Sequence, residues 1–123
     1  MAKPRVFVSF DFDNDKFLKD ALIGQSKNSD SPFEIEDWSL KEAAPEANWV
    51  AEATNKIKRS KYLVVVVGEK THKAPGVKKE AKIAQAEGVT RFQIKPADKS
   101  YQWVEGGGTH LNWTWPNLKN YLT

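Results

Sequence analysis

Hydrophobic positions fall in short blocks separated by polar loops. Arg5-Val6-Phe7-Val8-Ser9-Phe10 is an apolar run stopped by the acidic stretch Asp11–Asp15, which predicts a buried strand. A helix is expected next, from Asn14 or Asp15 to Ile23. Phe17, Leu18, Ala21 and Leu22 share one stripe of it, and Gly24 is placed to end it. Asn28–Pro32 has loop composition. Phe33-Glu34-Ile35-Glu36 alternates apolar and charged, as an edge strand does. Pro45 suits the first turn of a second helix, in which Trp49, Ala53 and Ile57 recur every four residues. Lys56, Lys58 and Arg59 suit its negative end. Tyr62–Val67 is β-branched without alternation, which predicts a central parallel strand buried on both faces. Gly76 to Glu87 reads as a third helix closed by Gly88, and Val89–Lys95 as a strand ended by Pro96. The segment Trp103–Trp115 leaves room for one short strand, and Pro116–Leu122 for a last helix.

Strands alternating with helices predict an α/β fold: an open, mostly parallel sheet of five strands between two helical layers. Right-handed crossovers leave few topologies, of which the flavodoxin-like order 2-1-3-4-5 is common. In that order the chain reverses direction between strands 1 and 3, and ligands bind there, beyond the carboxyl ends of the strands. Two loops are thereby marked before any motif is weighed: Phe10–Asp15 and Gly68–Gly76.

Composition narrows the chemistry. The 123 residues are expected to form one domain, 1–123, with 28% charged residues and a formal net charge of +3. No run approaches the ~20 apolar residues of a membrane span. The basic start Met1–Arg5 is followed by too short an apolar run for a signal peptide, so a cytoplasmic protein without membrane contact is expected. Absence of cysteine excludes disulfides, thiolate metal sites and cysteine nucleophiles, and two histidines leave little for imidazole metal sites. The cations are mostly lysines spread along the chain, whereas nucleic-acid binders cluster charge and favour arginine. No nucleic-acid partner is expected.

The acidic run Asp11-Phe12-Asp13-Asn14-Asp15 suggests Mg²⁺ binding, yet the third strand ends Val67-Gly68-Glu69, without the aspartate a receiver domain needs. A dehalogenase-like phosphatase wants a small or aliphatic residue at Asp15, and a calcium loop wants glycine at Lys16. Helix capping by Asp13 or Asn14, with Asp15 in the first turn, explains the run better than a metal. Gly106-Gly107-Gly108 opens no helix and reads as a flexible loop. Asn112-Trp113-Thr114 is a sequon without a secretory context. Among the five tryptophans, Trp49 has core spacing, and core closure is the default for Trp38, Trp103, Trp113 and Trp115. Glu80 stands apart. At about 100° per residue, Val77, Ala81 and Ala84 form one stripe, and Lys78, Lys79 and Lys82 the opposite face. Glu80 falls beside the apolar stripe. It also lies in the first turn of the helix leaving the third strand, facing the crevice. A catalytic carboxylate and one merely stabilised by the helix N-terminus fit this position equally.

Arg5–Phe10 with its acidic loop, Glu36-Asp37-Trp38-Ser39, Val64–Gly68 with Glu69-Lys70-Thr71, and Gly76-Val77-Lys78-Lys79-Glu80 together resemble bacterial TIR-like domains. The nearest type is the single-domain one that includes the TIR proteins of the Thoeris antiphage system, and the resemblance runs from Lys3 to Lys95. It implies a flavodoxin-like fold. It also implies cleavage of the nicotinamide–ribose bond of NAD⁺, here a substrate and not a resident cofactor, with ADP-ribose or a cyclic isomer released as an immune signal. The family's catalytic glutamate maps onto Glu80. Its pocket maps onto Phe10, Asp11 and Phe12 after the first strand and Trp38 after the second. Gly76 stands where relatives often carry a tryptophan. Loop amides or Lys73 would meet the diphosphate. The partners implied are NAD⁺ and either a second copy or a separate effector protein. A non-catalytic assembly module and a nucleotide-binding module without turnover remain open beside the enzyme.

Overall fold

The computed structural model describes residues 4–11, 14–35 and 46–122, the side chains of 46–49 excepted. Phe12, Asp13, Trp38, Pro45 and the Trp49 side chain, all given roles above, lie outside these. Five strands, β1 (Arg5–Ser9), β2 (Glu34–Ile35), β3 (Tyr62–Val66), β4 (Thr90–Lys95) and β5 (Thr109–Asn112), form one sheet. Their order is β2-β1-β3-β4-β5, with every neighbouring pair parallel. The helices are α1 (Lys16–Ser26), α2 (Glu46–Lys58), α3 (Pro75–Ala86) and α4 (Trp115–Leu122). This is the flavodoxin-like α/β topology expected from the alternation of elements. No helix among the described residues is long and apolar enough to cross a membrane.

Leu63 to Val67 are all buried, as a strand covered on both faces requires. Right-handed crossovers put α1 on one face and α2 and α3 on the other. On the α1 side, α4 returns to close the layer. The Trp113 indole N–H donates to Gln25 Oε1 at 2.8 Å, and Lys119 pairs with Asp30 at 2.6 Å. Tyr121 of α4 packs its ring against Phe92 and Tyr62, with centroids 4.6 and 5.8 Å away. Trp103, Trp113 and Trp115 all pack against the core, in keeping with core closure.

Three local expectations are corrected. Gly24 does not end α1. The helix continues to Ser26, because Ile23 packs on the core and Gln25 is held by Trp113, which offsets the cost of a helical glycine. The buried stripe of α1 is also rotated: Leu22 is buried, Leu18 and Ile23 are partly so, and Phe17 is 70% exposed. Finally, the cap position of α1 is held by Asp15, expected in the first turn, and not by Asn14, and the Asp15 side chain makes no capping bond.

The glycine loop does more than turn the chain. Gly108 has φ +86° and lies against the Arg91 carbonyl, while Gly107 lies against the Gln93 side chain, so a β-carbon at either would collide. Gln93 is buried in β4. Its Nε2 donates to the carbonyls of Val104 and Gly108 at 2.9 and 3.3 Å, and its Oε1 accepts the Val104 N–H at 2.7 Å. One neutral amide thus fastens the segment between β4 and β5 to the sheet.

Candidate active site

Ser9 closes β1 as a small polar residue after three apolar ones, at the carboxyl edge of the sheet. Its hydroxyl donates to Glu80 Oε1 at 2.7 Å, and both residues are fully buried. Around Glu80, the helical positions fall as the wheel requires: Val77, Ala81 and Ala84 are buried, and Lys78, Lys79 and Lys82 are exposed. Since α3 begins at Pro75, Glu80 sits in its second turn and not its first. The Ser9 hydroxyl, reached across the sheet–helix interface, holds Oε1 here. A buried carboxylate accepting a hydroxyl proton makes a charge-assisted hydrogen bond, stronger than a neutral one.

The loop after β1 folds tightly. The Asp11 carbonyl accepts the N–H groups of Asn14 and Asp15 at 3.2 and 2.8 Å, and the Asn14 amide donates to Asp11 Oδ2 at 2.6 Å. These bonds turn Asp15 toward the loop after β3. There its Oδ2 accepts the Thr71 hydroxyl at 2.5 Å, and Thr71 Oγ1 accepts the Gly68 N–H at 2.7 Å. Gly68 must be glycine, because a β-carbon would overlap the Asp15 carboxylate. Asp15 is 4% exposed. Its carboxyl is held above the usual range of an aspartate: burial raises it most, the Thr71 hydrogen bond opposes, and the Asp11 charge adds to the rise.

The residues expected at the site are distributed as follows. Glu80 is sealed beneath the crevice. Asp11 is nearly buried in the loop after β1. Phe10 is buried with its ring in the core, Lys19 Nζ lying 5.5 Å from the ring centre, so that residue offers the crevice its backbone. Lys73 is exposed on a short 3₁₀ turn, Thr71–Lys73, and Gly76 is the half-buried second residue of α3. Phe12 and Trp38 lie outside the described residues. The structure therefore joins the two loops that topology marked, through Asp15 and Thr71, directly before the helix that carries Glu80. Ser9, Gly68 and Thr71 escaped the sequence reading. Ser9 left a signal as the polar end of an apolar strand, and Gly68 and Thr71 lay in a loop that topology had marked. The described residues contain no group of three or more His, Asp or Glu able to hold a metal ion. A surface groove along α2, lined by Glu52, Asn55, Lys56, Lys58 and Arg59, shares no residue with this site.

Comparison with known proteins agrees with this architecture. The family described as Thoeris protein ThsB, TIR-like domain, matches residues 7–101. No curated protein matches the sequence. Among solved structures, the fold recurs in the Clostridium botulinum CMP N-glycosidase BcmB. The two are 16% identical with a TM-score of 0.59, over 96% of this chain and 93% of that one. A prokaryotic SEFIR domain is 15% identical with a TM-score of 0.56, over 96% of this chain and 86% of that one. At these identities the likeness is one of fold.

Proposed function

Because the chain belongs to the Thoeris ThsB TIR-like family, we propose that it cleaves NAD⁺ at the nicotinamide–ribose bond. The product is ADP-ribose or a cyclic ADP-ribose isomer, released as a signal in antiphage defence. The observation that carries this reading is Glu80, a buried carboxylate held by Ser9 at the carboxyl end of β1, beside the loop after β3. Nicotinamide leaves as a neutral base, so its expulsion needs no general acid. The ribose centre left behind is oxocarbenium-like, and a preorganised carboxylate stabilises that charge and orients the ribose hydroxyls. Exposed Lys73 meets the diphosphate, with the amides of its loop. The family resemblance assigns the pocket to Phe10, Asp11, Phe12 and Trp38, with Gly76 where relatives often carry a tryptophan. Water as acceptor yields ADP-ribose, and an adenosine hydroxyl yields a cyclic product. The CMP N-glycosidase of similar fold is named for breaking an N-glycosidic bond, the same class of bond, which supports the reading without carrying it.

In the structure Glu80 is 0% exposed. Turnover therefore requires a form in which Glu80 is uncovered, alone or on assembly with another chain. The same sealing favours a second reading, an assembly module in which Glu80 is only a core polar group. Incubation of concentrated protein with NAD⁺, followed for nicotinamide, separates them. Release that disappears in Glu80→Gln supports the enzyme. Release that survives Glu80→Gln removes Glu80 from the role. No release, together with a change in size alone or with a partner chain, supports the module. Saturable NAD⁺ binding without product supports a nucleotide sensor.

A further inference from the structure

An aspartate at the N-cap of a helix ordinarily accepts hydrogen bonds from that helix's own first amides. Asp15 makes no such bond. Its carboxylate instead contacts Thr71, 56 residues away in sequence, in a buried position. Burying a carboxylate is costly, and an apolar pair would fasten two loops more cheaply. Thr71 passes the contact on. Its carbonyl accepts the Ala74 N–H at 3.0 Å, and the Ala74 carbonyl accepts the Lys78 N–H at 3.2 Å, starting α3. Glu80 follows two residues later and returns to β1 through Ser9. Phe10 and Asp11 follow Ser9 directly, and the Asp11 carbonyl accepts the Asp15 N–H at 2.8 Å, which leads back to Asp15.

We propose that Thr71, held by Asp15, is a positioning residue, which fixes the start of α3 and thereby sets where Glu80 stands against Ser9. The proposal rests on the crevice being the functional site, but its primary test does not depend on turnover. Amide hydrogen exchange is measured on the whole protein for the wild type, Thr71→Val and Thr71→Ser. Valine keeps the shape and removes the hydroxyl, while serine keeps the hydroxyl. In Thr71→Val, exchange is expected to quicken about 10- to 100-fold at Gly68 and at the amides from Lys78 to Ala81. Thr71→Ser restores protection. The Val104 amide, held by Gln93 in another part of the sheet, stays unchanged. In an NAD⁺ assay, Thr71→Val lowers kcat more than it changes KM, because Glu80 is misplaced for the transition state while the binding loops persist. Quickening confined to Gly68, quickening equal at Val104, or a serine variant no better than valine would each overturn the positioning role. A wild type that releases no nicotinamide sinks the NAD⁺ reading alone, since the exchange pattern still decides this one.

Discussion

Buried polar side chains in two regions of the molecule are treated differently. In β4, Gln93 is neutral and is met by two carbonyls and an amide, all from the segment it fastens. Beside the end of β1, Glu80 and Asp15 are buried carboxyl groups, each tied to a hydroxyl from a different element. A satisfied amide costs little to bury and fixes one arrangement of the chain. A carboxylate is expensive to bury unless the fold uses its charge. The difference separates the part of the molecule that needs only an architectural explanation from the part that calls for a chemical one.

The largest effect that tests this contrast is expected at Glu80. Glu80→Gln keeps the side-chain volume and the Ser9 hydrogen bond, so the fold persists and thermal stability is unchanged or higher. Nicotinamide release is expected to fall by about 100- to 1,000-fold, the scale for removing a preorganised electrostatic partner of the transition state. Gln93→Leu makes the opposite prediction. It strands the Val104 N–H and takes a donor from the carbonyls of Gly108 and of Val104, which keeps the Gly107 N–H, at a cost of about 2–4 kcal/mol in urea unfolding, while kcat of the remaining folded protein is unaffected. A Gln93 variant that loses turnover without losing stability would erase the distinction between the two regions.

How far these regions were legible in the sequence follows from the range of the interactions. The doubly buried Val64–Val67 and the buried face of α3 arise from local periodicity, and the strand order follows from the alternation of elements with right-handed crossovers, so they could be read directly. Glu80 was found the same way, because its neighbours on the helix define the buried stripe. Its partner was not, since Ser9 lies 71 residues away and nothing local in either segment specifies the pair. Asp15 was expected in the first turn of α1, with Asp13 or Asn14 as its cap. It stands at the cap position instead, and the tertiary approach of Thr71 and Gly68, which nothing local specifies, draws its carboxylate away. Phe17 misled because the apolar spacing of α1 admits two adjacent stripes, and packing chose the one through Leu18 and Leu22.

Ser9→Ala is expected to act between these extremes. It leaves Glu80 Oε1 without the hydroxyl, at a cost of about 1–2 kcal/mol in stability, and lowers nicotinamide release about tenfold. Ser9→Thr, if the added methyl is accommodated, recovers both. Equal turnover in wild type and Ser9→Ala would mean that the hydroxyl orients nothing the reaction uses.

The smallest effect belongs to Asp15 and is read as a pH dependence. Its folded carboxyl binds a proton more tightly than the ordinary aspartate value of 3.8. Between 3.8 and the raised folded value the native state holds more protons than the unfolded one, so stability falls as pH rises through that window and levels off above it. Asp15→Asn is neutral throughout, and its amide oxygen still accepts the Thr71 hydroxyl. The stability of Asp15→Asn relative to wild type is therefore expected to improve from pH 4 toward pH 7, with the other carboxylates cancelling in the difference. Urea unfolding of both proteins across that range checks it. Parallel curves would mean that the folded and unfolded states bind the Asp15 proton equally, and the cost that sets this region apart from Gln93 would then fall on Glu80 alone.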